Sequence, residues 1–206
     1  MFKDVIINEY GFRELVNKPS PEELEAYYSK SYYQRSMSSY ESSYSSLEIE
    51  HRTNLIQQKY AVLKHLIPNS VSTKCRLLDV GCGEGWALKY FKEKLWDVVG
   101  LDYSDYGIIS HNQSCLDQLI IGDISKNIVS LINENQEFDV IWMDNILELV
   151  LQPIVLLRQL RRLISPNGVM VIQVPNDFSL VQQYLYESGN VENPYWIAKP
   201  DHISYF

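Results

Sequence analysis

The chain is poor in the residues that build metal sites and disulfide frameworks. Its 206 residues include only three cysteines, Cys75, Cys82 and Cys115. The number is odd and no C-x-x-C spacing occurs, so neither a zinc site nor a disulfide network is indicated. A reducing cytoplasm is the expected setting. Long apolar runs are missing too: no window approaches the roughly 18 uninterrupted apolar residues of a membrane span. The opening Met1-Phe2-Lys3-Asp4 has no signal-peptide hydrophobic stretch. Extended runs of Lys and Arg are absent, and the net charge is −8. That balance argues against the electrostatic footprint of a nucleic-acid binder. Finally, the G-x-G-x-x-G of dinucleotide binders does not occur, which counts against a nicotinamide-dependent oxidoreductase.

Apolar residues make up 46% of the chain, enough for one domain with a sizeable core. Glycine is scarce, at nine residues, yet three fall within Leu77-Leu78-Asp79-Val80-Gly81-Cys82-Gly83-Glu84-Gly85-Trp86. An apolar strand ends near an acid, then opens into a loop with glycine at alternate positions, then starts a helix from about Glu84. Glycines there let the backbone turn tightly and keep Cβ atoms out of the way of a ligand. The helix N-terminus turns free N–H groups toward the same place. Such a turn suits a nucleotide-type ligand at the end of a first parallel strand. Cys82 inside it reads as a small packing residue rather than a nucleophile.

Further acids follow at telling positions. Trp96-Asp97-Val98-Val99-Gly100-Leu101-Asp102 reads as a buried strand ending on a carboxylate, 23 residues after Asp79. That is about the spacing at which a βαβ unit presents an acid to ribose hydroxyls. The bland alternative is an Asp that caps the next helix, although Ser104 is available for that task. Leu119-Ile120-Ile121-Gly122-Asp123-Ile124 is a third strand ending on an acid. Phe138-Asp139-Val140-Ile141-Trp142-Met143-Asp144-Asn145, with Leu147-Glu148-Leu149 and Pro153, is a fourth.

In this order, over residues 77–153, these segments resemble motifs of the class I S-adenosylmethionine (SAM) dependent methyltransferases, of the type 11 and type 23 kind. The spacing G-x-G-x-G after Asp79 resembles their motif I. The 138–153 segment resembles their F-D-x-I-x-x-x-x-x-L-E-H-x-x-x-P, except that Leu149 stands where His is common. The resemblance implies SAM as cofactor and S-adenosylhomocysteine (SAH) as product. It implies that Asp79, Gly81, Cys82, Gly83 and Asp144 line the cofactor site. Asp102 and Tyr103 would serve the ribose, and Asp123 and Ile124 the adenine.

The fold class expected is α/β, a Rossmann-like, doubly wound, mostly parallel sheet with helices on both faces. Strands are expected near 75–80, 97–102, 118–122, 138–143 and 168–174, with alternating helices giving right-handed crossovers. One such helix should run from Pro153 to about Leu163, and another near 179–187. Residues 1–70 read as an N-terminal helical cover and 71–206 as the SAM-binding core. In the cover, Ser20-Pro21-Glu22-Glu23 is a helix start with a capping box, and that helix should end near Tyr32-Tyr33. Residues 36–46 are serine-rich without apolar periodicity and read as a mobile loop. An amphipathic helix over 47–66 follows, with Leu55, Ile56, Tyr60, Leu63 and Leu66 at helical spacing. Six of the 15 tyrosines fall between residues 27 and 44. They either pack over the core or form a lid on SAM, with Tyr32 or Tyr33 reaching the cofactor. Arg52 is a candidate for the methionyl carboxylate. The usual strands 6 and 7 are missing or shortened, so either the sequence is a truncated form of the family's unit or the sheet edge is completed another way. An exposed edge would invite a homodimer.

A sulfonium methyl is already activated, so orientation supplies much of catalysis, up to roughly 7–11 kcal/mol. A base is needed only for an acceptor that must lose a proton. Of the four histidines, His65 and His111 fall in helices away from the strand ends and read as structural. His202, in a D-H-x-x-x-F-like run at 201–206, is the base candidate. The Asn/Asp-Pro-Pro-aromatic run of many nitrogen methyltransferases is absent after Asp144. An oxygen or carbon of a small molecule is therefore expected, with sugars, quinones and cell-surface polysaccharide precursors as classes. The rival readings are a non-catalytic SAM-binding protein and a nicotinamide-dependent oxidoreductase.

Overall fold

The computed structural model describes residues 2–30, 43–67 and 75–206, without the side chains of residues 25 and 28–30. Its centre is a five-stranded parallel sheet: β3 (Arg76–Val80), β4 (Asp97–Asp102), β5 (Leu119–Ile121), β6 (Phe138–Asp144) and β7 (Ile164–Gln173), in the order β5-β4-β3-β6-β7. Strand order reverses between β3 and β6, where open α/β sheets open a crevice at their carboxyl ends. Leu77, Leu78 and Val80 of β3 are all fully buried, as a strand covered on both faces requires. Period-two alternation then splits the core. Leu77 and Trp142 pack on one side with α2 (Ser46–Leu66) and α3 (Trp86–Lys92). Leu78, Val80, Ile141 and Met143 pack on the other with α5 (Ile124–Asn133) and α6 (Pro153–Leu160).

Helix starts follow the sequence closely. Ser20 and Glu23 form the expected box at α1 (Pro21–Lys30): the Ser20 N–H donates to Glu23 Oε2 at 2.7 Å and the Glu23 N–H to Ser20 Oγ at 3.2 Å. A second box, Ser45 with Glu48, opens α2. The buried face of α2 is narrower than its pattern implies. Ile56 and Leu63 are buried, whereas Leu55 and Leu66 face solvent. Tyr32, Tyr33 and Tyr40, with the side chain of Tyr28, lie outside the described residues.

Two segments depart from expectation. β7 begins at Ile164, before Pro166-Asn167-Gly168, and its register against β6 shifts between Phe138 and Val140. Among the described residues β7 pairs with β6 alone, and an edge strand tolerates the missing N–H of Pro166. The sequence also gives no hint of a small antiparallel sheet, β1 (Val5–Ile7), β2 (Arg13–Leu15) and β8 (Ser204–Tyr205). These strands are two or three residues long, too short to show a period, and the partner of β2 lies at the far end of the chain. Ile203 links this sheet to the core. Ile203 O accepts from Leu15 N–H at 2.9 Å, and Ile203 N–H donates to Glu148 O at 2.8 Å. An aromatic cluster of Phe2, Phe178, Trp196 and Tyr205 with Leu15 fills the space beneath.

The last helix near the glycine loop, α4 (Tyr106–His111), touches that loop at Gly107. A Cβ there would lie 2.7 Å from Gly83 O and 2.9 Å from Gly83 C, both backbone atoms that cannot step aside. Gly→Ala in a helix ordinarily gains about 1 kcal/mol. Here overpacking should reverse the sign, and Gly107→Ala is expected to lose about 1–3 kcal/mol in urea unfolding. A gain would show that α4 and the loop are not in contact.

Candidate active site

Four acids meet because their strands are neighbours. Asp79 is next to last in β3, Asp102 ends β4, Asp144 ends β6, and Asp123 follows β5 and caps α5 by accepting from Lys126 N–H at 2.9 Å. Asp79 and Asp102 are buried. Burial raises the proton affinity of Asp79 well above the carboxylate range, the Asp144 and Asp102 charges raise it further, and Lys59 opposes them.

The glycine loop is held by β4. Gly81 N–H and Cys82 N–H donate to Leu101 O at 2.8 and 3.0 Å. Asp102 accepts from Gly83 N–H at 2.8 Å and Ser104 N–H at 3.1 Å. Asp102 therefore braces the loop and does not cap α4. Ser104 Oγ accepts from Tyr106 N–H at 3.1 Å instead. Gly81 has φ +71°, and a Cβ there would run into the Ile146 side chain. Gly85 has φ +76°, so α3 starts at Trp86 rather than Glu84. Cys82 is buried behind the loop, where desolvation pushes its thiol up, in keeping with a packing role.

Glu84, freed from the helix, turns inward and is 3% exposed. Tyr44 O–H donates to its Oε1 at 2.7 Å and Trp86 Nε1–H to its Oε2 at 2.6 Å. His111 Nε2 lies 3.3 Å from Oε1 and Arg52 Nη1 3.7 Å from Oε2. His111 is thus not remote from the strand ends, because the short α4 carries its last turn back over the glycine loop. His65 is exposed on α2. The Arg52 guanidinium stacks over Tyr44 at 4.2 Å. Lys59, seven residues on and so on the same face as Arg52 and Ile56, pairs with Asp144. Sequence reading missed Glu84 and Lys59. A charge set among glycines, and a lysine in step with buried positions of α2, are the signals that point to them.

Two adjoining cavities open here. One, about 440 Å³, is bordered by Gly81, Asp102, Tyr103, Asp123, Ile124 and Ile146. The other, about 720 Å³, is bordered by Asp79, Gly83, Arg52, Lys59, Asp144 and His202. Gly81, Ile146 and Leu149 line both. Tyr33 lies outside the described residues; the structure brings the other predicted site residues to these two cavities. At the far end of the larger one, His202 Nδ1 is 3.0 Å from Asp177 Oδ2. Burial would lower the His202 pKa, but the Asp177 hydrogen bond and the charges of Asp177, Glu148 and Asp201 outweigh it and raise it. Glu148, on the 3-10 turn Leu147–Leu149, is 1% exposed. Desolvation pushes its carboxyl up to about 7, the Asp177 and Asp144 charges pushing the same way against its own backbone hydrogen bond and His202.

Because the folded state keeps the Glu148 proton that the unfolded chain releases near 4.5, stability is lost as pH rises from 4.5 to about 7. Glu148→Gln does not titrate. Its melting temperature relative to the parent should therefore climb between pH 5 and pH 8. A constant difference would show that the carboxyl is not desolvated.

Comparison with known proteins places this geometry. The sequence model of the Methyltransf_23 family, a methyltransferase domain, matches residues 49–206. The ubiquinone biosynthesis O-methyltransferase of Bradyrhizobium diazoefficiens is 26% identical over 133 residues, covering 61% of this chain and 53% of that protein. A SAM-dependent methyltransferase structure from Archaeoglobus fulgidus is similar with a TM-score of 0.50 and 23% identity, over 71% of this chain and 63% of that one. A hypothetical protein from Thermus thermophilus has the same TM-score at 16% identity, over 62% of this chain and 75% of that one. The chain thus spans about half the length of the curated relative it matches. The two structural likenesses show a shared fold, and the family match covers the glycine loop, the strand-end acids and every strand of the large sheet. The chain belongs to the methyltransferase-domain family, the class I SAM-dependent methyltransferases.

Proposed function

We propose that the chain binds SAM across the two cavities and methylates a hydroxyl oxygen, or an acidic carbon, of a small molecule. The observation that carries this reading is the acid series at the strand ends. Asp79, Asp102 and Asp144 crowd together beside Lys59, which is paired, and Asp123 borders the smaller of the two adjoining cavities, with no Cβ at Gly81 between them. A cationic ligand rich in hydroxyl and amino donors relieves that crowding, and SAM is such a ligand. Bound there, it supplies a sulfonium-activated methyl group.

The residues divide the work. Asp102 would hold the ribose diol, since it borders the smaller cavity and a carboxylate can accept from two vicinal hydroxyls. Asp123, with Ile124 and Tyr103, borders the smaller cavity and would take the adenine. Asp79 and Asp144 suit the methionyl ammonium, and Arg52 or Lys59 its carboxylate. His202 would take the acceptor's proton at Nε2, because Nδ1 is engaged with Asp177, which orients the ring. The name of the Bradyrhizobium relative favours an oxygen acceptor. Sugars, quinones and cell-surface polysaccharide precursors are the acceptor classes we put forward. The outer edge of β7 offers a second copy a place to pair.

By calorimetry SAM and SAH should bind in a one-to-one ratio and NAD should not bind. Asp102→Ala should weaken SAM by about 2–4 kcal/mol and Asp102→Asn by less, because Asn keeps one acceptor. The alanine variant should also melt earlier without ligand, since it frees the Gly83 N–H. Tight NAD binding without any response to SAM, or unaltered SAM affinity in Asp102→Ala, would sink the reading.

Turnover should rise with pH through a group above the ordinary histidine value of 6.5, because a base must be neutral and His202 holds its proton more tightly than usual. His202→Ala should cost roughly 10²–10⁴-fold in kcat with SAM affinity kept. Asp177→Asn should move the pH profile downward. A binding protein without catalysis would show SAM affinity and no methylated product under any of these conditions.

A further inference from the structure

We propose that Glu84 is a positioning residue for the amino-acid end of the cofactor. Directly and through Tyr44, it holds the Arg52 guanidinium where that group grips the methionyl carboxylate, and so makes the site select ligands that carry this carboxylate. This rests on the methyltransferase reading above, gives Glu84 a role in it and decides between the two cations named there.

Glu84 acts through its neighbours. A carboxylate has about four sites that accept hydrogen bonds. Among the described residues four groups lie against this one, Tyr44 and His111 at Oε1, Trp86 and Arg52 at Oε2. At 3% exposure Glu84 has almost no surface left for a ligand. Of the four, Trp86 and Arg52 border the 720 Å³ cavity, and of these two Arg52 carries the charge. Its side chain is 33% exposed and is held from two directions. Nη1 lies 3.7 Å from Glu84 Oε2, and Cζ lies 4.2 Å from the centroid of the Tyr44 ring. Tyr44 is fixed by its own O–H bond to Glu84 Oε1, and its ring packs on Trp86 and His111 with centroids 5.9 and 4.9 Å away. Ion pair and ring both refer the guanidinium to one carboxylate.

Such a hold suits the capture of a second carboxylate. A guanidinium has five N–H donors in one plane, so an edge turned to Glu84 leaves others for a two-point bond to the ligand. A loose arginine would have to be ordered when the ligand arrives, which weakens binding. Lys59 is placed otherwise. Its ammonium pairs with Asp144 and lies 5.2 Å from the centroid of the Trp142 ring, and a compact ammonium offers no planar fork. The loop position of Glu84 adds register. Gly83, the residue before it, donates its N–H to Asp102, the acid proposed above for the ribose. The groups for the two ends of the cofactor are thus set apart by one short stretch of backbone.

The test compares SAH with its decarboxylated analogue, S-adenosyl-3-thiopropylamine, by calorimetry. The two ligands share the adenosine, the thioether and the ammonium and differ in the carboxylate alone. The parent protein should bind SAH about 10–100-fold more tightly, the range for charge-assisted bonds to one such group. Arg52→Met should erase that preference and Lys59→Met should keep it. Glu84→Gln keeps the size of the side chain but has one acceptor oxygen in place of two, and it should cut the preference about threefold or more. Combined with Arg52→Met, Glu84→Gln should change the preference no further. That result separates positioning from a general loosening of the glycine loop, which would weaken both ligands alike. Should Glu84→Gln fail to fold, Tyr44→Phe removes the hydroxyl bond alone and should lower the preference in the same direction. Equal binding of the two ligands by the parent, or a preference untouched by the Glu84 or Tyr44 substitution, would overturn the proposal while leaving the methyltransferase reading intact. So would a preference lost in Lys59→Met but kept in Arg52→Met, or a Glu84→Gln effect that persists without Arg52. Binding of neither ligand to the parent overturns that reading and this proposal with it.

Discussion

Like-charge crowding at the carboxyl ends of β3, β4 and β6 is the constraint around which the molecule is arranged. Parallel pairing puts Asp79 opposite Gly100 and Trp142, so Asp102 and Asp144 lie on neighbouring strand ends within the same crevice. A sheet buried on both faces gives these groups little water, and burial dominates the shift at Asp79. Each remedy among the described residues is partial. Asp102 is steadied by two backbone N–H groups, Asp144 by Lys59, and Asp79 by the charge of Lys59.

Glu84 solves a related problem differently. It is a buried carboxylate satisfied from four segments, by Tyr44 ahead of α2, Arg52 on α2, Trp86 on α3 and His111 on α4. The helices that surround the glycine loop are thereby referred to one side chain inside that loop. The close approach of Gly107 to Gly83 sets the same spacing from the other side. Loop shape, and with it the wall between the two cavities, follows from these contacts and not from glycine content alone.

Most of the large sheet is readable from residue pattern, because β3, β4 and β6 are continuous apolar runs with an acid at a defined end. The long helix α2 is readable to within a residue at its start, thanks to its spacing and length. What escaped has a physical reason in each case. β1, β2 and β8 are too short for alternation to register, and their pairing depends on residues nearly the whole chain apart. Glu84 looks like the first residue of a helix until the left-handed Gly85 turns it inward. Lys59 and His111 sit on helices whose rotation only tertiary packing sets. Asp102 was legible as a strand-end acid, but its bond to the Gly83 N–H requires the loop to fold back on its neighbour strand.

Ile203 carries a consequence for the order of assembly. Its bond to Leu15 spans 188 residues of sequence, whereas most contacts of the parallel sheet close over a few tens. Loop-closure entropy makes such a contact late, because the intervening chain must already be compact before it becomes affordable. During synthesis the β1–β2 hairpin emerges ahead of the large sheet and waits for β8, which follows that sheet. The sheet and its glycine loop can therefore settle before the His202 segment is clamped against them.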